Sequence, residues 1–290
     1  MKRRRPIYLK VGVVAKPTGG RHARQALTRT LEVLARQGVE ALLDREAARL
    51  LGRPDGMARP DLTQQAEAVV VIGGDGTFLS VARCVGAKGP PLVGINQGTL
   101  GFLTEIKRDQ ISEAIARVLE GQASEERRMM LKVTVKRTGK KDRVYTALND
   151  VVLAKSALAR TIRLRVDVLD EPVSTYRSDG LLISTPTGST AYSLSAGGPL
   201  VHPGLDAMLI TPICPHGLVN RPLIIPASSR LSIHRLSRQE EAYLTVDGQV
   251  GGPFHPGDRI EVQRSRKYLR MLHPFPHSFY ATLRSKLKWS

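Results

Sequence analysis

The sequence predicts an α/β N-terminal domain followed by a mainly antiparallel β C-terminal domain, with a C-terminal helix packing back on the first. Three observations lead there. Over residues 1–124, short wholly apolar runs alternate with stretches of helical period, the pattern of a parallel sheet covered by helices. From 125 to 272, period-two runs are joined by Gly, Asp and Pro turn residues, as in antiparallel hairpins. The tail, 273–290, ends in a segment of helical spacing at 279–287, and neither a low-complexity linker nor an internal repeat interrupts the chain.

Taken in order, residues 9–15 read as a strand and 21–37 as a helix with Leu27, Leu31, Val33 and Leu34 mostly on one face. Residues 39–43 read as a second strand. Ala68-Val-Val-Val-Ile72 is a short buried strand of the parallel type, 78–85 is helical, 91–95 a strand and 109–119 a helix. In the second half, Leu131-Lys-Val-Thr-Val-Lys136 alternates with period two, 138–142 is a loop, and 145–153 returns as the partner strand. A further hairpin pairs 164–169 with 173–176 across the turn Asp170-Glu-Pro172. Residues 243–246 lead into Asp247-Gly-Gln249, and short strands fill 231–272.

Composition excludes several classes. At 41% apolar residues the chain is too hydrophobic to be disordered, yet no run approaches the roughly 20 apolar residues of a membrane helix. Residues 1–5 have the charge of a signal-peptide n-region, but Lys10 breaks the apolar run that follows and no cleavage site is evident. Cys84 and Cys214 are far apart in apolar contexts, which argues against a disulfide framework or a Cys-type zinc site and suits a reducing, cytoplasmic setting. Forty-four Lys and Arg against 26 Asp and Glu give a net charge of +18, which invites a nucleic-acid reading. Only 4% of residues are aromatic, so a base-stacking platform is lacking, and the basic runs at 2–5, 127–128, 136–143, 264–267 and 284–288 fall at termini and hairpins. No specific nucleic acid and no membrane is expected as partner. Pro274 and Pro276 exclude a helical i,i+4 ligand pair from His273 and His277.

The strongest local motif is Gly-Gly-Asp-Gly-Thr at 73–77, between an apolar strand and a helix, at the carboxyl end of a parallel strand where ligands bind. Gly73, Gly74 and Gly76 remove side chains so that backbone N–H groups can approach phosphates, Thr77 is placed to cap the helix, and the helix N-terminus favours anions. Asp75 stands inside this cradle, where a carboxylate holds a metal or accepts a proton. No Gly-Lys-Ser/Thr follows, so this is not a Walker loop, nor does it match the dinucleotide fingerprint. A second cluster, 185–199, is dense in hydroxyls and glycines, with a helix start near Thr190 that suits ribose or phosphate. Asn149-Asp150 interrupts an apolar strand, where unpaired polar groups are costly unless they bind something or sit at an exposed edge.

Five segments in order resemble the bacterial NAD kinase family: 73–77, Gly-Ile-Asn-Gln-Gly-Thr-Leu-Gly-Phe-Leu at 94–103, Leu-Asn-Asp-Val-Val at 148–152, the long block 179–199, and Val-Asp-Gly-Gln at 246–249. The resemblance implies a nucleotide-binding α/β domain ahead of a β-rich NAD-binding domain. It also implies transfer of the γ-phosphoryl group of ATP to the 2′-hydroxyl of the adenosine ribose of NAD, with a divalent cation such as Mg²⁺ and a homo-oligomer, dimer or tetramer. Carried over by motif, Asp75 is the catalytic base and, with Gly76, contacts NAD. Asn149, Asp150, Arg160, Arg177, Asp179, Thr190, Ala191, Tyr192, Ser193, Leu194, Ser195 and Gln249 line the NAD site, and no metal ligands are assigned. A lipid kinase of the diacylglycerol type shares Gly-Gly-Asp-Gly-Thr but follows it with Gly-Thr-x-Asn-Asp, whereas this chain reads Gly-Thr-Leu-Gly-Phe at 98–102.

Overall fold

The computed structural model describes residues 5–18, 20–86, 89–98, 101–137, 139–156, 161–217, 220–237 and 240–289. The chain forms two compact units, 1–127 with 269–290, and 128–268. In chain order the first unit contains β1 (Lys10–Ala15), α1 (Gly20–Arg36), β2 (Glu40–Leu43), α2 (Arg45–Leu51), α3 (Arg59–Gln65), β3 (Ala68–Gly73), α4 (Asp75–Ala82), β4 (Leu92–Asn96) and α5 (Ile111–Leu119). The chain leaves it within β5 (Ser124–Lys136). The second unit adds β6 (Arg143–Ala147), β7 (Asp150–Lys155), β8 (Ile162–Val168), β9 (Glu171–Ser178), β10 (Gly180–Ser184), a one-turn α6 (Tyr192–Ser195), β11 (Ala207–Ile213), β12 (Leu223–Pro226), β13 (Arg230–Arg235), β14 (Ala242–Val246) and β15 (Val250–Pro253). It returns to the first unit within β16 (Arg259–His273), which leads to α7 (Phe279–Leu287).

In the first unit β2, β1, β3 and β4 pair in parallel in that order, and Met271 near the end of β16 pairs with Leu92 of β4. Every residue of β3 is buried, as the apolar run requires of a central strand covered on both faces. Because β1 is flanked by β2 on one side and β3 on the other, the strand order reverses there, and the carboxyl ends of β1 and β3 mark the switch point at which such sheets bind ligands. The core comes from Val11, Val13, Val70, Ile72, Val93 and Ile95 of the sheet, with Leu27 and Leu34 of α1 and Ile111 and Ile115 of α5. Gly12 lets α3 pack closely, since a Cβ there would stand 2.4 Å from Leu62 Cδ2.

The second unit is a sandwich. One inner face carries Leu131, Val133, Leu164, Val166, Ile233 and Ile260, the other Val151, Leu153, Leu181, Ile183, Met208, Ile210 and Leu244, each set alternating along its strands. The second of these sheets is antiparallel throughout, in the order β12-β11-β10-β7-β14-β15.

Several local expectations are corrected. Residues 145–153 are not one strand: β6 pairs with β5, but β7 joins the other sheet, and the chain changes sheets at Leu148 and Asn149. The turn is Leu169-Asp170, starting one residue before the expected 170–172. Leu169 and Asp170 take the left-handed region at φ 52° and 67°, and Pro172 lies inside β9 opposite Asp167, at a register shift where its missing N–H is tolerated. Helix α4 begins at Asp75, three residues before the expected 78–85 helix, with Gly74 as its N-cap; Thr77 therefore lies in the first turn and does not cap it. Thr190 likewise belongs to a 3₁₀ turn, Thr187–Thr190, and the following one-turn helix is preceded by Ala191. At seven residues each, α2 and α3 are too short to show a helical period in the sequence, although Asp44 caps one and Pro60 opens the other.

Asp44 is a structural hinge-pin of the first unit. Its buried carboxylate accepts from Ala47 N–H at 2.8 Å as the cap, from Ala15 N–H at the end of β1 at 3.2 Å, and from Arg59 Nε at 3.0 Å. Asp44→Ala removes the cap and strands a half-buried guanidinium, so chemical denaturation should show a loss of about 3 kcal/mol; a change near zero contradicts this reading.

Candidate active site

Gly73 ends β3, and a Cβ on it would lie 2.5 Å from Thr77 Oγ1, so the strand-to-helix turn closes only with glycine there. Gly74 is extended at φ −105°, Asp75 opens α4, and Gly76 is exposed. The Asp75 carboxylate is held by the loop that follows β4. Phe102 N–H donates to Oδ2 at 2.8 Å, and Leu103 N–H and the Thr104 hydroxyl donate to Oδ1, both at 3.1 Å. The Thr104 hydroxyl is itself oriented by Asn96 Nδ2 at 3.0 Å, and Asn96 Oδ1 accepts from Gly98 N–H at 2.6 Å. Gly101 permits the approach: a Cβ there would fall 2.0 Å from Asp75 Oδ1. A cavity of about 480 Å³ opens beside Asn96 and Gly98, edged by the exposed Lys107 and Arg108 and by Asp109. The sequence contains the 94–103 motif, but its role as the loop that grips Asp75 is a long-range contact with no local signature.

In the second unit, the 148–150 turn is built around Asp247. This buried carboxylate accepts from the backbone N–H groups of Leu148, Asn149 and Asp150 at 3.1, 2.8 and 3.2 Å, while Asp247 N–H donates to Asp150 O at 2.9 Å. Asp247 and Gly248 have φ of 48° and 66°, the pair of left-handed residues that an Asp-Gly hairpin turn needs. The hydroxyl-rich block docks on the same turn: Thr185 Oγ1 donates to Leu148 O at 2.6 Å and accepts from Gly188 N–H at 3.1 Å, and a Cβ on Gly188 would strike Asn149 O at 2.2 Å. Asn149 Oδ1 is buried with no hydrogen-bond partner among the described residues. Burial, and after it the charge of Asp247, raises Asp150 to about 7.

The remaining sequence candidates divide. Ser193 is buried against Thr211 at 3.1 Å, and the Thr190 hydroxyl turns back to Thr187 O at 3.1 Å. Ala191 and Leu194 are partly buried, while Tyr192, Ser195 and Gln249 are exposed, the last following the Asp247-Gly248 turn. Arg177, exposed and bonded to Thr161 Oγ1 at 3.3 Å, and Asp179, paired with Lys155 at 3.4 Å, sit elsewhere. Gly180 of β10 pairs with Ala154 of β7, and Ser184 with Asp150, so Asp179, five residues along from Ser184, lies at the opposite end of these strands, about 17 Å from Asp150, and Arg177 precedes it by two residues. Arg160 lies outside the described residues. The motif resemblance assigns Gln249 and not Asp247, whose contacts with 148–150 join positions about 100 residues apart; the Asp-Gly turn is its only local signal.

A strand end cleared by Gly73 that presents a gripped carboxylate at a helix start is the arrangement expected of a nucleotide-dependent phosphotransferase. Residues 11–123 match the ATP-NAD kinase N-terminal domain and 148–273 the ATP-NAD kinase C-terminal domain. The chain is 44% identical to the NAD kinase of Geotalea daltonii over 259 residues, covering 89% of this chain and 91% of that one. It is 44% identical to the NAD kinase of Geobacter sulfurreducens, with 88% and 90% covered. Its fold matches the crystal structure of yeast NADH kinase complexed with NADH at a TM-score of 0.88 and 26% identity, over 99% of this chain and 89% of that one. The chain belongs to the ATP-NAD kinase family.

The Asp150 carboxyl has a measurable signature. Its folded value, about 7, exceeds the ordinary 3.8, so the fold prefers the protonated form. The resulting stabilisation is complete below about pH 4 and is lost as pH rises through about 7, a swing of order 4 kcal/mol. Unfolding measured from pH 4 to 7 should therefore show wild type losing stability relative to Asp150→Asn; a difference independent of pH refutes the assignment.

Proposed function

We propose that this chain transfers the terminal phosphoryl group of ATP to the 2′-hydroxyl of the adenosine ribose of NAD, giving NADP and ADP. The observation that carries this reading is the Asp75 carboxylate, fixed by three hydrogen bonds at a strand end whose glycines leave the backbone bare. Phosphoryl transfer passes through a loose transition state, so the protein chiefly positions groups and neutralises charge. Asp75 then orients the acceptor hydroxyl and takes its proton late, which requires fixed geometry more than strong basicity. Gly73, Gly74, Gly76 and Thr77, with the start of α4, meet phosphate oxygens, and Lys107 and Arg108 beside the 480 Å³ cavity favour the same charge.

NAD is assigned to Asp75, Gly76, Asn149, Asp150, Arg160, Arg177, Asp179, residues 190–195 and Gln249. The orphaned Asn149 Oδ1 calls for an N–H donor, which an adenine amine or a carboxamide supplies. Asp150, raised to about 7 by burial and by the charge of Asp247, can donate as well as accept there. The placement of Arg177 and Asp179 at the far strand ends supports a homo-oligomer in which these two reach the ligand of a second copy. A divalent cation of the Mg²⁺ kind fits the donor set: of the three hydrogen bonds from 102–104, Asp75 Oδ2 accepts the Phe102 N–H alone, leaving a hard oxygen to share with phosphates. When bound, such a cation neutralises phosphate charge. The absence among the described residues of a helix long and apolar enough to cross a membrane agrees with a cytoplasmic enzyme.

Asp75→Asn keeps the size of the side chain but loses the proton acceptor and one of the two oxygens that the 102–104 loop holds. NADP formation from NAD and ATP should fall about 10²–10⁴-fold while calorimetric NAD affinity stays near wild type; turnover close to wild type removes Asp75 from this role.

A further inference from the structure

We propose that Glu105, His273 and His277 form a binding site for a transition-metal cation of the zinc class, separate from any cation carried by nucleotide phosphates. The ligand atoms of these three residues all lie within 4.8 Å of one another. Both imidazoles direct Nδ1 at the Glu105 carboxylate, one at each oxygen. Two imidazole nitrogens and a carboxylate, leaving a fourth position for water, are the donor set of zinc and unlike the all-oxygen shell of Mg²⁺. The prolines that forbid a helical His pair are what build this one: residues 274–278 run as a non-helical loop that folds His277 back over His273.

The surroundings are those of a prepared site. His273, only 4% exposed, places Nε2 3.0 Å from Glu126 Oε2, which puts the lone pair of the neutral ring on Nδ1, toward Glu105, in the carboxylate–histidine relay that orients metal ligands. Without the ion, protons bridge the same atoms. Burial alone raises Glu105 and lowers His273, but the hydrogen bonds among Glu105, His273, His277 and Glu126 outweigh it and hold Glu105 at about 2 and His273 at about 9. A cation must displace a proton here, as at any histidine ligand. The rings are stacked with centroids 4.2 Å apart and 17° from parallel, so coordination requires them to splay until each lone pair points at the ion. No hydrogen bond at Nε2 resists that rotation of His277: this atom is buried without a partner among the described residues, and the side chain is 16% exposed. A cavity of about 270 Å³, lined by Glu105, His277, Lys107, Gln110 and Ala281 among others, gives a hydrated ion its approach.

Occupancy would tie two parts of the first unit. Glu105 directly follows Thr104, whose hydroxyl holds Asp75, and His277 directly precedes the Ser278 cap of α7. The proposal does not depend on the kinase assignment.

The test is titration of the purified full-length protein with Zn²⁺ against a chromophoric chelator, with Mg²⁺ in excess. One equivalent should bind in wild type and in the His202→Gln control, and none in His277→Gln or Glu105→Gln. Glu126→Gln, which keeps all three ligands, should bind about 10–100-fold more weakly. On unmodified protein, NMR of the side chains should show Zn²⁺ perturbing His273 and His277 out of the seven histidines, which needs no variant to fold. Absence of stoichiometric Zn²⁺ binding, undiminished binding in His277→Gln, or perturbation confined to other histidines overturns the proposal.

Discussion

The grip of a loop on the Asp75 carboxylate is the interaction on which the first unit's chemistry depends. A carboxylate at a helix N-terminus is favoured by the helix dipole, but alone it would rotate freely and repel an incoming phosphate. Two backbone N–H groups and a threonine hydroxyl from 102–104 remove that freedom, each charged hydrogen bond contributing about 1.5–3 kcal/mol. The loop can reach only because the chain is bare where it must be. Gly101 faces Asp75 itself, and Gly94 of β4 lets the loop return, since a Cβ there would stand 2.6 Å from Leu103 O. Gly94 and Gly101 are therefore clearance for the loop that holds one carboxylate, in the same way that Gly73 is clearance for Thr77.

The second unit uses the same device with a different outcome. Asp247 gathers three consecutive backbone N–H groups and so fixes the turn that carries Asn149 and Asp150. Its charge is spent on structure, and one consequence falls on its neighbour: Asp150, already desolvated, is pushed further toward its neutral form. One acid thus serves as scaffold and the other is left near neutrality, available to a ligand as either donor or acceptor. The orphaned Asn149 Oδ1 beside it is the kind of buried cost that a protein carries where a ligand completes the set.

What the sequence revealed and what it hid follow from range. The apolar runs at 11–15, 68–73 and 92–95 announce parallel strands because burial on both faces is a local demand on each of these residues. The 279–287 helix is likewise legible, with Ser278 as its cap. The change of sheet at 148–149 is hidden, because the Asn149-Asp150 interruption suits an exposed strand edge as well as a change of sheet, and only the partners of β6 and β7 tell the two apart. The left-handed Leu169 is hidden too, since nothing about leucine advertises it, and the adjacent Pro172 misleads. In the candidate site, motif residues stand out singly, while the pairings of Asp75 with 102–104, Asp247 with 148–150 and Glu105 with His273 and His277 join positions 27 to 172 residues apart.

The central claim is that catalysis depends on the Asp75 carboxylate being held, and not merely present. Gly101→Ala tests it most directly, because the added methyl meets Asp75 Oδ1 and leaves the acid chemically intact. Steady-state turnover with ATP and NAD, read beside NAD affinity by calorimetry, should show kcat reduced about 10²-fold with NAD binding within twofold of wild type. Wild-type kcat in a folded Gly101→Ala protein would contradict the account.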